Sequence, residues 1–136
     1  MASIGGDITE LTFNHPTIGS GTLFVKASED STFDLGGLRS NDDANGVDGG
    51  GNTIRQMNHV RWFVEVTASW DMNTRKDLEK VTAMAADPVE AEWTVSHING
   101  VTYGGTGSPV GDLNGNGNTA TFPLKISGGG VLKQIA

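Results

Sequence analysis

From His59 to Trp70 the chain alternates with a period of two. Val60, Trp62, Val64, Val66, Ala68 and Trp70 fall on one face. His59, Arg61, Phe63, Glu65, Thr67 and Ser69 fall on the other. That period belongs to a half-buried β-strand and cannot be presented by a helix. A strand this long needs neighbours on both sides, so the chain must build a sheet. Further candidates are Ile8–Phe13, Ser20–Ala27 with Leu23 and Val25 facing one way, and Ala91–Ile98. Between the first two, residues 14–19 are expected to form a loop. Asn99-Gly100 predicts a type I′ hairpin turn, with the chain returning through Val101–Tyr103. A last strand is expected over Asn118–Ser127, with Ala120, Phe122, Leu124 and Ile126 on one face. Pro123 has no amide hydrogen, so the strand is an edge there or carries a bulge. Gly128-Gly129-Gly130 separates it from a C-terminal arm, Val131–Ala136.

Only one segment changes period. Leu78, Val81, Thr82 and Ala85 make a helical stripe, predicting one flanking α-helix over about Asn73–Ala86. Asn73 is the expected N-cap, with Thr74 and Asp77 as an alternative capping pair, and Asp87-Pro88 is the stop. Arg75, Lys76, Glu79 and Lys80 mostly occupy the other faces. Two long Gly/Asn/Asp-rich stretches, about Gly36–Gln56 and Gly104–Gly117, read as loops. Loops of that length in a small domain usually carry a function. The expected class is mainly β, in a single domain spanning residues 1–136.

Composition narrows the function. Cysteine is absent, which excludes disulfide scaffolds, thiolate metal sites and cysteine nucleophiles. The formal charge of −7 argues against tight binding to nucleic-acid phosphates. Glycine, at 20 of 136 residues, is about twice its usual ~7% share. Residues 1–7 lack the basic and apolar stretches of a secretory signal, and no apolar run nears the ~18 residues of a membrane span. A soluble chain made in a cytoplasm is therefore expected, with no membrane insertion.

No motif points to catalysis or a cofactor. Asp112-x-Asn114-x-Asn116-Gly117 opens like a calcium loop, but Pro123 stands where the bidentate Glu belongs. Asn41-x-Asp43-x-Asn45-Gly46 fails in the same way, ending at Asn52. Both read better as Gly/Asn turns. His15, His59 and His97 are dispersed and form no metal-ligand spacing. Gly19-Ser20-Gly21 and Ser127-Gly128 are not nucleophile elbows. Gly49-Gly50-Gly51 lacks the Lys-Ser/Thr of a phosphate loop. Glu29, Asp30, Asp34, Asp42, Asp43 and Asp48 form an acidic run against Arg39. It is either a solvated loop or a surface kept from sticking to nucleic acid. The profile is that of a structural or interaction protein, with no catalytic, cofactor-binding or metal residue assigned.

Three stretches carry a resemblance. The first is Ser31-Thr32-Phe33-Asp34-Leu35-Gly36-Gly37-Leu38 with the polar run Asn41-Asp42-Asp43-Ala44-Asn45-Gly46. The second is Arg61-Trp62-Phe63 running into Asp71-Met72-Asn73-Thr74 and the helix. The third is His97–Gly105, then Ala120–Lys125 and Gly128–Gly130. In this order, from about Ile8 onward, the chain resembles the tail tube proteins of tailed bacteriophages. It is also similar to the inner-tube proteins of phage-tail-like particles. The resemblance leans to the contractile type, since no added immunoglobulin-like domain follows.

The resemblance implies a small antiparallel β-barrel or sandwich with the helix on its flank, assembling into stacked, hexameric rings. It implies a virion tail structure, made in the host cytoplasm, through whose lumen DNA passes without specific binding during genome ejection. Other partners implied are sheath, baseplate, tail-terminator and tape-measure proteins. The role of ring-to-ring or neighbour contact falls on the loop from about Gly36, with Asp34, Leu35, Gly36, Gly37, Leu38, Arg39, Asp42, Asp43, Asn45 and Asp48 as contact residues. The N-terminal segment and the C-terminal arm would be further contacts. A competing expectation is a carbohydrate-binding sandwich or another virion or baseplate interaction module, with Trp62, Trp70 and Trp93 as stacking surfaces. Against it, Trp62 and Trp70 are in phase with Val64 and Val66.

Overall fold

A computed structural model of the chain describes residues 2–136. In chain order the elements are β1 (Ile8–His15), β2 (Gly19–Phe24), β3 (Thr32–Asp34), β4 (Gly37–Ser40), β5 (Gly46–Val47), β6 (Thr53–Ile54), β7 (Met57–Val60) and β8 (Trp62–Ser69). Then come α1 (Asp77–Ala85), β9 (Ala91–His97), β10 (Thr102–Val110), β11 (Thr121–Gly128) and β12 (Lys133–Gln134). The class is mainly β with one flanking helix, as expected.

All pairings are antiparallel, in the order β2-β1-β9-β10-β11-β8-β3 with β12 added to β10. The turning point is β10. Thr102–Gly107 pairs with β9, whereas Ser108–Val110 pairs with β11. One strand thus belongs to two sheets, which pack face to face as a sandwich. Just past β2 the chain meets β8, beyond the short β3, at a single bridge, Val25–Ala68, beside which the Lys26 amide donates to the Thr67 carbonyl at 2.9 Å. The sheet does not close into a barrel.

The handover along β10 needs glycine. A Cβ on Gly107 would lie 2.3 Å from the Ser127 carbonyl oxygen, and one on Gly128 would lie 2.0 Å from that of Thr106. At Gly105 a Cβ would press to 3.0 Å on the indole of Trp62, which is wholly buried. This corrects the expected loop over Gly104–Gly117. Its first half is strand, because these glycines serve close approach and not loop freedom. Only residues 111–120 are irregular. The last strand correspondingly starts at Thr121 and not at Asn118. Beyond Lys125–Ser127, β11 has no partner on its β10 side, so Pro123 lies where the strand is an edge.

The stripe from Val60 to Trp70 packs as expected, with Trp62, Val64, Val66 and Ala68 buried and Val60 and Trp70 half-buried. Leu11, Phe13, Leu23, Trp93, Phe122 and Leu124 meet them. The single strand expected over residues 59–70 breaks at Arg61. There β7 leaves for a separate ribbon while β8 stays in the sandwich. The C-terminal arm is docked: Leu132 is buried and β12 lies on β10.

The helix is shorter than expected. It starts at Asp77, after Lys76 in a left-handed conformation (φ 50°) and without a side-chain cap. Asn73 and Thr74 instead lie in a turn organised by Asp71, whose carboxylate accepts from the Asn73 amide (3.0 Å), the Thr74 amide and hydroxyl, and the Arg75 amide. The packed face is Asp77, Leu78, Val81 and Met84; Thr82 and Ala85 are exposed. The Asn99-Gly100 turn also differs. Gly100 alone has positive φ (92°), and its amide donates to the His97 carbonyl at 3.0 Å, so the type I′ geometry is not formed.

The crossing yields a test. Gly107→Ala and Gly128→Ala should each cost about 1–3 kcal/mol by overpacking. Gly129→Ala, with open space around it, should be near neutral. Chemical denaturation of the three variants measures the difference.

Candidate assembly surfaces

Between Gly37 and Val60 the chain forms one long hairpin arm. At its base β4 pairs with β7, from Gly37–Val60 to Ser40–Met57. Beyond a bend, β5 pairs with β6, with Val47 opposite Thr53. The stretch expected to be an irregular loop is therefore an ordered ribbon. Not one of its residues is buried. Val47 (69% exposed), Leu38 (58%), Ile54 (53%) and Met57 (46%) present apolar side chains to solvent. A two-stranded ribbon is at best marginal in water without a packed face. This arm has apolar side chains with nothing of its own chain to cover them.

The base of the arm is fixed. Arg39 pairs with Asp34 in a two-point contact, with Nη1 donating to Oδ2 at 2.8 Å. Asp34 Oδ1 also accepts the Gly36 amide at 2.9 Å. These contacts hold the Asp34 carboxyl down at about 2, the Arg39 guanidinium first and the Gly36 amide second. The Leu35 carbonyl accepts the Leu132 amide at 2.9 Å, and Gly36 bridges to Val131. A side chain at Gly36 would strike the Trp62 amide nitrogen at 2.7 Å, and its φ of 72° also favours glycine. The arm is thus levered from the sandwich core through Trp62.

Further out, Asn45 holds the bend. Its Oδ1 accepts the Gln56 amide at 2.8 Å and its Nδ2 donates to Ser40 Oγ at 3.1 Å. Asp42 and Asp43 are exposed there. Asp48 holds the tip by accepting the Gly50 and Asn52 amides, both at 2.9 Å. Those amides, Asn52 first, lower its pKa. The expected contact residues are therefore strung along one arm from base to tip, not gathered into a pocket. Sequence reasoning missed Val47, Ile54 and Met57. Their signal was present: isolated apolar residues in a polar, glycine-rich stretch with no periodic face to join.

A second surface is the outer face of β2, β1, β9 and β10. Register places Ser20, Thr22 and Phe24 beside Asn14, Thr12 and Glu10. These continue to Glu92, Thr94 and Ser96, then to Thr106, Gly104 and Thr102. The face is broad and made mostly of small polar side chains, with Glu10 and Glu92 as its carboxylates and, at the β2 edge, the exposed ring of Phe24 under the Arg75 guanidinium (5.0 Å). None of these residues is Lys or Arg; Lys133 stands at its margin, opposite Gly104 on β12.

The other sequence candidates are scattered. His15 is buried, with Nδ1 accepting the Thr17 and Ile18 amides (both 3.2 Å) and Nε2 donating to the Val89 carbonyl (3.0 Å). His59 is in the arm, and His97 Nε2 lies 3.1 Å from the Gly6 carbonyl oxygen. Among the described residues no three His, Asp or Glu gather as metal ligands. In the Asp112–Gly117 stretch, Asn116 Oδ1 accepts the Asn118 and Thr119 amides, as an Asn turn does. No helix among the described residues is long and apolar enough to cross a membrane. Trp62 and Trp93 are buried and Trp70 is half-buried. A comparison with protein-family models finds no match, and neither does one with curated proteins.

Acid tests the base of the arm. Asp34 is depressed in the folded state, so its contribution is complete above the ordinary carboxylate pKa and is lost as pH falls through the folded value. Protection of the Gly36 amide from hydrogen exchange should thus persist at pH 3.8 and fall near pH 2. In Asp34→Asn that step should be absent, as followed by NMR.

Proposed function

We propose that this chain is a structural subunit of a bacteriophage tail tube, self-assembling into stacked, hexameric rings around a channel for genome ejection. The observation that carries the reading is the arm: an ordered ribbon, rigidly based on the core, whose apolar side chains need a second molecule to cover them. A copy of the same chain in the neighbouring ring is the simplest provider. The sequence resemblance assigned this stretch the same role.

The small-polar face of β2, β1, β9 and β10 is the proposed lumen wall. Hydroxyls and amides across its middle carry no charge, Glu10 and Glu92 repel the phosphate backbone, and the cations, Arg75 over Phe24 and Lys133 on β12, stand at its two edges, so DNA slides without specific binding. The charge of −7 per subunit acts in the same sense. In this reading the protein is a virion component, assembled in the host cytoplasm, and works with sheath, baseplate, tail-terminator and tape-measure proteins. No catalytic step is proposed. A sandwich that stacks sugars on tryptophan fits less well, because all three tryptophans are turned into the protein.

Negative-stain microscopy and sedimentation of the concentrated chain test this. The intact protein should form hollow rings or tubes. A variant with residues 41–56 replaced by an Asn-Gly turn should stay folded yet fail to stack. Tubes from the shortened variant would overturn the role of the arm. In virions, Glu10→Lys with Glu92→Lys should slow genome ejection and leave tube assembly intact; ejection at the normal rate would remove the lumen assignment.

A further inference from the structure

The chain contains Asn45-Gly46, Asn99-Gly100, Asn114-Gly115 and Asn116-Gly117. Asn followed by Gly is the dipeptide most open to self-modification, because no Cβ shields the following amide nitrogen. That nitrogen attacks the asparagine Cγ, a C–N bond forms, and ammonia leaves from the side-chain amide. Water then opens the cyclic imide at either carbonyl, giving aspartate or isoaspartate. The reaction needs no enzyme and no oxidant. It needs the side chain to swing its Cγ onto the next amide nitrogen, and that nitrogen to be free.

The fold withholds this freedom at three of the four positions. Asn45 is held at both ends, by the Gln56 amide and Ser40 Oγ. Asn99 Oδ1 is held by the Val101 amide at 3.0 Å, and the Gly100 nitrogen is itself donating to the His97 carbonyl at 3.0 Å. Asn116 Oδ1 is held by the Asn118 and Thr119 amides, and its own amide donates to the Thr121 carbonyl at 2.8 Å. Asn114 differs. It is exposed, and among the described residues its side chain has no hydrogen-bond partner, nor does the Gly115 amide. We infer that Asn114 is a site of spontaneous deamidation and isoaspartate formation, with the other three Asn-Gly pairs protected by the fold.

The position makes the change consequential. Gly115 lies so close to the core that a Cβ there would sit 2.6 Å from the Trp70 ring and 2.8 Å from Leu78. Isoaspartate inserts a methylene into the backbone one residue before this contact, and either product adds a carboxylate beside Asp112. The loop over Trp70 and the start of α1 should then loosen, independently of whether the chain builds tubes.

The test is ageing of the purified protein at mildly alkaline pH, read by peptide mass spectrometry with fragmentation that distinguishes isoaspartate. A sample kept in denaturant runs alongside. In the folded protein Asn114 should convert several-fold faster than Asn45, Asn99 or Asn116, and in denaturant the four should converge. Asn114→Gln should remove the leading product. Trp70 emission should shift with conversion in the native protein and not in Asn114→Gln. Equal rates for the four sites in the folded protein, or a lead by any of the other three, would overturn the inference.

Discussion

The structure turns on the contact between the backbones of β10 and β11, where Gly107 leaves room for the Ser127 carbonyl, beside the Trp62 indole, and Gly128 leaves room for that of Thr106. This close approach lets one strand leave the first sheet and enter the second. It thereby sets the two sheets face to face with Trp62 sealed between them. Gly36 also packs on the backbone at Trp62, so the place where the sheets join is the place from which the arm departs. Filling either glycine with a methyl group disturbs the sandwich; disturbing Trp62 disturbs both the sandwich and the root of the arm.

The arm follows a different physical logic from the body. In the body, apolar side chains at alternate positions bury one another, and burial stabilises the strands. In the arm, order comes from local polar contacts: the Asp34–Arg39 pair, the Asn45 clasp and the Asp48 turn. Such exposed interactions contribute little stability individually. They set the shape of a ribbon whose apolar residues remain uncovered. A subunit that holds such a ribbon away from its own core leaves apolar surface for a second molecule to cover, and in the proposed tube the outer face of the first sheet would line the lumen.

Much of this was legible in the sequence. The period of two at Val60–Trp70 defined the inward face of β8, and Pro123 marked a stretch of β11 that is paired on its β8 side only. The helix was visible but misplaced at its start, since Asn73 and Thr74 looked like caps while Asp71 was organising a separate turn. Gly104, Gly105 and Gly107 read as loop because glycine's two uses, conformational freedom and close approach, look alike in one dimension. Only the opposing Ser127 and Thr106 carbonyls distinguish them. The arm was marked as a functional stretch by its length and acidity. Its ribbon pairing rests on cross-strand register, and strands as short as Gly46–Val47 and Thr53–Ile54 show no periodicity to read.

The proposed function makes the arm an element of assembly. Hydrogen exchange of the arm amides, measured on dilute and concentrated intact protein, tests it most directly. In dilute monomer the amides of residues 38–59 should exchange rapidly, while the β8 and β11 amides are protected. In the assembled fraction the arm amides should become protected by a large factor. Arm amides equally protected in both states, or exchanging freely within formed tubes, would contradict the account.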